Sequence, residues 1–202
     1  FLAGRQGERV TSSGISIAED PFATDPGAAV LPFDDDGVSC RRVSLIDRGV
    51  AGSPVHSRWS AAEAGCSSTG GSKIGGLSPD PGGRPRRLRV APGDSSEGAL
   101  IAGVERGLFL TRFHYVNGML DPRRALMTGL TRDGAFRIED GRITGAVHNL
   151  RFTEPILEAF ERVDGVASDL EAIPGWWLDD EVHLCPALRV RGFTFTGRQD
   201  LA

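Results

Sequence analysis

The chain has little of what the commonest catalytic devices require. Its three cysteines, Cys40, Cys66 and Cys185, are odd in number and widely spaced, which fits reduced cytoplasmic thiols better than a disulfide framework. There are four histidines, His56, His114, His148 and His183. None has a second histidine one helical turn away with a glutamate between, so the metal-binding helix of a zincin peptidase is not among these 202 residues. No G-x-S-x-G is present, which removes the nucleophile elbow of a serine hydrolase. No run approaches the roughly 18 apolar residues of a membrane span. The first residues lack a basic-then-apolar signal pattern, and the expectation is a soluble, cytoplasmic chain. A net charge of −4 gives no general nucleic-acid surface.

What is present suffices for one sizeable core: 202 residues, 40% of them hydrophobic, predict one globular domain. The first residue is Phe1 and the opening FLAGRQGERV reads as mid-domain sequence. The expectation is a fragment whose upstream half is missing.

Residues 108–160 organise the rest. Phe109, Thr111, Phe113 and Tyr115 alternate with Leu110, Arg112 and His114 at the period of a strand. Asn117-Gly118 offers a tight turn, residues 124–131 a second strand, and Asp133-Gly134 its exit. Phe136 and Ile138 answer Ile143 across Asp140-Gly141, the two-residue loop of a type I′ hairpin. Thr153 can cap a helix over residues 154–163 with Ile156, Leu157, Phe160 and Val163 on its apolar face. A second helix is predicted over residues 95–106, with Asp94 as cap, Glu97 three residues on and Gly107 as stop. Ser60 and Glu63 have capping-box spacing for a short helix ending at Gly65.

Elsewhere, Val10, Ile15 and Ile17 are the buried positions of a first strand ended by Glu19-Asp20-Pro21. A further strand covers residues 41–46, and Asp47-Arg48-Gly49 turns it back. Asp34-Asp35-Asp36-Gly37 reads as a solvated turn, because the spaced ligands and distal Glu of a calcium loop are missing. Residues 66–83 read as a flexible Ser/Gly/Pro loop. Its Gly70-Gly71-Ser72-Lys73 lacks the first glycine of a phosphate loop. Arg84, Arg86, Arg87 and Arg89 read as charges blunting an edge strand rather than as an anion site. Trp176 and Trp177 are an interface or a lid. His183 and Cys185 share one strand face, but two donors make no zinc site, and a satisfied histidine beside a packed cysteine is favoured. Gly192 marks a β-bulge where the alternation of Leu188 and Val190 changes phase to that of Phe193 and Phe195.

The string FHYVNGMLDPRRALMTGLTRDGAFRIEDGRITGAVHNLRFTEPILEAF, with RQGERVTSSGISIAEDPF, LPFDDDGVSCRRVSLIDRGV, AAEAGCSSTGG and PALRVRGFTFTG in matching order, resembles the C-terminal part of the TldD/PmbA family of bacterial metallopeptidases and their partner subunits. It is most similar to the actinobacterial TldD-related branch. The resemblance implies that zinc is held by an H-E-x-x-x-H helix upstream of this region. It also implies a late cysteine ligand in a Gly-rich segment and pairing of subunits, either with self or with a TldD-like paralogue. The interval before Cys185 is IPGWWLDDEVHL rather than Gly-rich, so the ligand role is not carried over to Cys185. The chain itself is then without metal or cofactor, and zinc belongs to the catalytic subunit or to an upstream half.

Two readings stay open: a zinc-less partner that shapes the substrate groove, which the missing Gly-rich cysteine segment favours, and the C-terminal half of an active zinc metallopeptidase. In either, a peptide substrate can enter as an added strand. His114, Tyr115 and Asn117, with Arg123 and Arg124 beyond the turn, are the residues that would meet it. No nucleophile is named, and neither membrane nor direct nucleic-acid contact is expected. The fold expected is α+β: a mainly antiparallel, strongly curved or barrel-like sheet with two principal helices.

Overall fold

The computed structural model describes residues 2, 4–73, 82–175 and 181–198. In chain order the elements are β1 (Ile17–Glu19), β2 (Val43–Asp47), β3 (Val50–Ala51), α1 (Arg58–Ala64), β4 (Leu88–Val90), α2 (Glu97–Ala102), β5 (Arg106–Asp121), β6 (Leu126–Glu139), β7 (Arg142–Ala146), β8 (Leu150–Pro155), α3 (Ile156–Glu161), β9 (Val163–Pro174), β10 (Val182–Val190) and β11 (Phe195–Arg198). They form two sheets, β3-β2-β1-β4-β10-β9 and β11-β8-β6-β5, with β7 also pairing β6.

Pairing between the named strands is antiparallel except where β10 meets β4, so the mainly antiparallel α+β class is as expected. The barrel-like curl is not. The chain passes from one sheet to the other after α2 and returns through α3, so each sheet keeps two ends and neither closes. The first sheet's core gathers Val10, Ile15, Ile46, Ala51 and Val163, with Leu157 and Phe160 of α3 against it. The second is built on Phe152, which is fully buried. Phe113 and Phe193 have ring centroids 4.6 and 5.4 Å from that of Phe152. Gly129 permits this packing, because a Cβ there would lie 2.7 Å from the Phe152 ring.

Both helices of the sequence reading are shorter than predicted. α2 is capped by Ser96, whose hydroxyl accepts from the Ala99 amide, and ends at Gly103. Beyond it, the carbonyls of Val104 and Glu105 accept from the amides of Gly141 and Asp140, so the β6–β7 turn takes up the backbone that would have extended the helix. α3 starts at Ile156 because Thr153 and Glu154 are engaged in β8, opposite Thr128 and Met127. In α1 the capping box is Ser57 with Ser60, one turn before Ser60 with Glu63, and Gly65 closes it in the left-handed region as expected.

The predicted turn at Asn117-Gly118 does not occur. β5 runs on to Asp121, whose Oδ1 accepts from the Arg123 and Arg124 amides and makes the turn four residues later. Asp133-Gly134 is a bulge inside β6 rather than an exit, with Asp133 at φ 64. The Asp140-Gly141 hairpin is as predicted: both residues have positive φ and Ile138 faces Ile143. Gly192, at φ 59, turns the chain from β10 in one sheet toward β11 in the other instead of forming a bulge within one strand. The first strand is confined to β1; Val10 and Ile15 are buried in the preceding coil. Trp176 and Trp177 lie outside the described residues.

The arginine cluster is the largest correction. β4 lies between β1 and β10, not at an edge, and Arg86 and Arg87 are buried. Glu19, the last residue of β1 and itself buried, accepts from the Arg86 amide at 3.1 Å and the Arg87 amide at 2.9 Å. Arg86 pairs with Asp35 at 2.9 Å, Arg89 with Asp25 at 2.9 Å and Arg84 with Glu181 at 3.0 Å. Asp34 is buried as well: its Oδ1 accepts from the Asp36 and Val38 amides and its Oδ2 from Ser72. With Lys73 beside Asp35, residues 69–73 of the expected flexible loop are packed in place.

Burial pushes the Glu19 carboxyl above its ordinary range, while the two amides and the Arg87 and Arg86 charges pull it back. Glu19→Gln turns one acceptor into a donor facing an amide. It is expected to lower unfolding stability in urea by about 2–5 kcal/mol, with Glu63→Gln, on the exposed side of α1, as an unaffected control. Loss below about 1 kcal/mol would refute the role given to Glu19.

Candidate functional site

A strand buries its backbone groups only where a neighbour supplies partners. Among the described residues the 16-residue β5 pairs with β6 alone, as an outer strand of the second sheet. β5 also carries exposed apolar side chains. Phe113 is 38% exposed, Val116 42%, Leu120 51% and Tyr115 69%, a row that an exposed edge normally avoids. Three register shifts interrupt β5, between Leu110 and Arg112, His114 and Asn117, and Asn117 and Asp121. Tyr115 sits in the middle one at φ 51, a left-handed backbone for a bulky aromatic residue. Its ring centroid is 6.2 Å from that of His114.

Beside this edge stands a cluster of guanidiniums. Arg112 lies directly opposite Arg132 on β6, and His114 opposite Leu130, which in turn faces Arg151 on β8. Cross-strand partners share a face, so Arg112, Arg132, His114 and Arg151 crowd one side of the sheet. Asp133 is in ion-pair contact with both Arg112 and Arg132. Arg132 Nη1 is 3.1 Å from His114 Nε2. Desolvation, and then the charges of Arg132 and Arg112, hold the His114 pKa below its ordinary value, with Asp133 opposing.

Of the residues expected to meet a peptide, His114, Tyr115 and Asn117 fall together on β5, whereas Arg123 and Arg124 sit in the turn after Asp121. On β6 the partners of His114 and Asp121 are Leu130 and Leu126, about 13 Å apart at 3.3 Å per residue. The turn arginines are thus at the far end of the hairpin. Arg112, Arg132, Asp133 and Arg151 were not picked out by the sequence reading. Only the i, i+2 relation of Arg112 and His114 was visible there, and the bulges hide which β6 residues stand opposite.

The donors on β10 do not fit a zinc site. His183 Nδ1 accepts from the Leu88 amide at 3.2 Å, which ties the ring to β4. Its Nε2 is 3.9 Å from Glu181, whose other oxygen holds Arg84. Burial raises the Cys185 thiol pKa, and among the described residues no three His, Cys, Asp or Glu are grouped for a metal. None of the described helices is long and apolar enough to cross a membrane, which leaves β-barrel membrane proteins unaddressed.

This two-sheet frame recurs in known proteins. The family profile described as PmbA/TldA metallopeptidase C-terminal domain matches residues 1–197, and the chain belongs to that family. A metalloprotease of Methanothermobacter thermautotrophicus is 30% identical over 84% of this chain and 36% of its own length. A protein named zinc metalloprotease TldD homolog from Saccharolobus solfataricus is 20% identical over 84% of this chain and 37% of its own. The crystal structure of TldE from Thermococcus kodakarensis superposes with TM-score 0.83 at 22% identity, covering 97% of this chain and 42% of that one. The chain spans somewhat more than a third of these relatives, and both named metalloproteases are archaeal.

The geometry at His183 sets a pH dependence. Desolvation first, then Arg87, depresses its pKa, with Glu181 opposing. The folded state therefore binds its proton less readily than the unfolded chain. His183 contributes its full stability above the unfolded value of about 6.5 and loses it as pH falls from there through the depressed folded value. Unfolding midpoints measured from pH 7.5 to 5 should fall less steeply in His183→Gln than in the wild type; parallel curves would refute the assignment.

Proposed function

We propose that this chain is the substrate-shaping part of a TldD/PmbA-type metallopeptidase system, acting in peptide proteolysis as a zinc-less partner. The observation that carries the reading is the place of β5, which pairs among the described residues with β6 alone and shows exposed apolar side chains. It is the kind of outer strand to which an extended peptide adds through main-chain bonds and side-chain contacts. His114, Tyr115 and Asn117 line the middle of that edge, and Arg123 and Arg124 its end. The β10 donors are already committed to β4 and Arg84, which supports placing the zinc in a TldD-like paralogue. The fold shared with TldE points the same way. The pair works in the cytoplasm, as a dimer with the paralogue or with itself.

A second reading has its own support. The matched relatives carry metalloprotease names and are more than twice as long as this chain, so an upstream H-E-x-x-x-H helix in the same polypeptide would make this the C-terminal half of an active zinc enzyme. The test uses the full-length protein, alone and with its TldD-like paralogue, read by zinc content, light scattering and mass spectrometry of an unstructured peptide. Cleavage is expected only in the mixture, together with a complex. Stoichiometric zinc and cleavage by the protein alone would establish the second reading instead.

In whichever assembly is active, Tyr115→Asn keeps a residue that tolerates the left-handed backbone and removes the exposed ring. It should raise KM for the peptide about three- to tenfold with kcat little changed, the signature of lost uniform binding. An unchanged KM would take Tyr115 out of the site.

A further inference from the structure

Resting on the reading of β5 as the peptide edge, we propose that this edge selects acidic peptides, with Arg112 and Arg132 binding an aspartate or glutamate side chain of a strand laid along residues 106–114 and Arg151 adding charge behind them. Like charges directly opposite each other across a sheet are destabilising, yet Arg112 and Arg132 are in register and share the single carboxylate of Asp133. Both side chains and that of Asp133 are about half exposed, so the cluster is open to a ligand. Between residues 106 and 155 there are eight arginines and five aspartates or glutamates, in a chain whose net charge is −4. The arginines of the first sheet do not offer the same opening, since Arg86 and Arg89 each hold an acid of their own in half-buried or buried pairs.

The geometry fixes where the acid must sit. A strand added outside β5 places a side chain about 5 Å from that of Arg112 when the two are opposite. Arg132 is two strand spacings away, about 10 Å, within reach of two long side chains leaning together. Register shifts flank the position, between Leu110 and Arg112 on one side and beyond His114 on the other, so the acid falls within the short regular stretch of residues 112–114. Asp133 is then an internal competitor: it holds both guanidiniums until a substrate carboxylate takes its place.

The test measures fluorescence anisotropy of labelled unstructured peptides of equal length, glutamate-rich, serine-rich or lysine-rich, on the full-length protein, with hydrogen exchange of β5 read in parallel. The glutamate peptide should bind tightest, and its advantage should shrink at high salt. The double variant Arg112→Gln/Arg132→Gln should cut that advantage about three- to tenfold. Asp133→Asn, which suits the left-handed backbone, should increase it. Both sites are exposed, and circular dichroism checks that the variants fold. Equal binding of all three peptides with β5 protected would overturn the acidic preference and leave the edge reading standing. No protection of β5 by any peptide would overturn both. Protection that rises with protein concentration alone, or a single-stranded oligonucleotide binding better than the glutamate peptide, would overturn the proposal in favour of a second copy or a nucleic acid.

Discussion

The first sheet depends on one carboxylate. β1 and β4 are three residues each, too short for a few ladder bonds to hold against the entropy of ordering the long loops on either side. Glu19 extends their contact past the end of β1 by accepting from the amides of Arg86 and Arg87 before β4 begins. Those bonds carry the chain into the middle of the sheet and bury two arginines there. Arg86 then meets Asp35, and Arg87 donates to the Ala29 carbonyl at 2.6 Å, which pins the loop over residues 20–39. Burying an ionised glutamate is unfavourable, and desolvation raises its pKa. What offsets the burial is that both oxygens find amide donors that would otherwise be orphaned.

Local patterns in the sequence survived where a single turn decides them. Asp140-Gly141, Arg48-Gly49 and Gly65 all have the left-handed φ their composition implies. Of Val10, Ile15 and Ile17, the first two are buried as expected and Ile17 is partly buried. Patterns failed where a distant segment supplied the deciding partner. Asn117-Gly118 is as good a turn signal as Asp140-Gly141, but β6 continues to pair with β5 through Thr128 and Leu126, and Asp121 offers a competing turn. Four arginines in six residues read as a solvated edge because nothing local shows that Glu19, Asp25, Asp35 and Glu181 are their partners, up to 97 residues away. The candidate site was only partly legible: alternation placed His114 and Tyr115 on one strand, Asn117 was expected in a turn but lies on β5, and the opposing Arg132 depended on bulge positions that alternation does not reveal.

The outer strands β5 and β9 are treated in opposite ways. On β9 the edge is covered near its middle, where the Gly93 amide donates to the Ala167 carbonyl and the Ser168 amide to Ser95. Beyond that point it exposes Asp169 and Glu171 and ends at Pro174, the charges and imino acid that blunt strand addition. Among the described residues β5 pairs with β6 alone, and it shows aromatic and aliphatic side chains.

The charges support this asymmetry at longer range. Asp169 and Glu171 are exposed on β9 and the net charge is −4, while Arg112, Arg132 and Arg151 gather positive charge on one face of the second sheet. Such a field acts on approach and orientation before any backbone bond forms. It also favours one register: an acid held beside Arg112 fixes which residues of an added strand come to His114, Tyr115 and Asn117. The left-handed backbone at Tyr115 then interrupts the ladder between that acidic position and the Asn117 end of the strand.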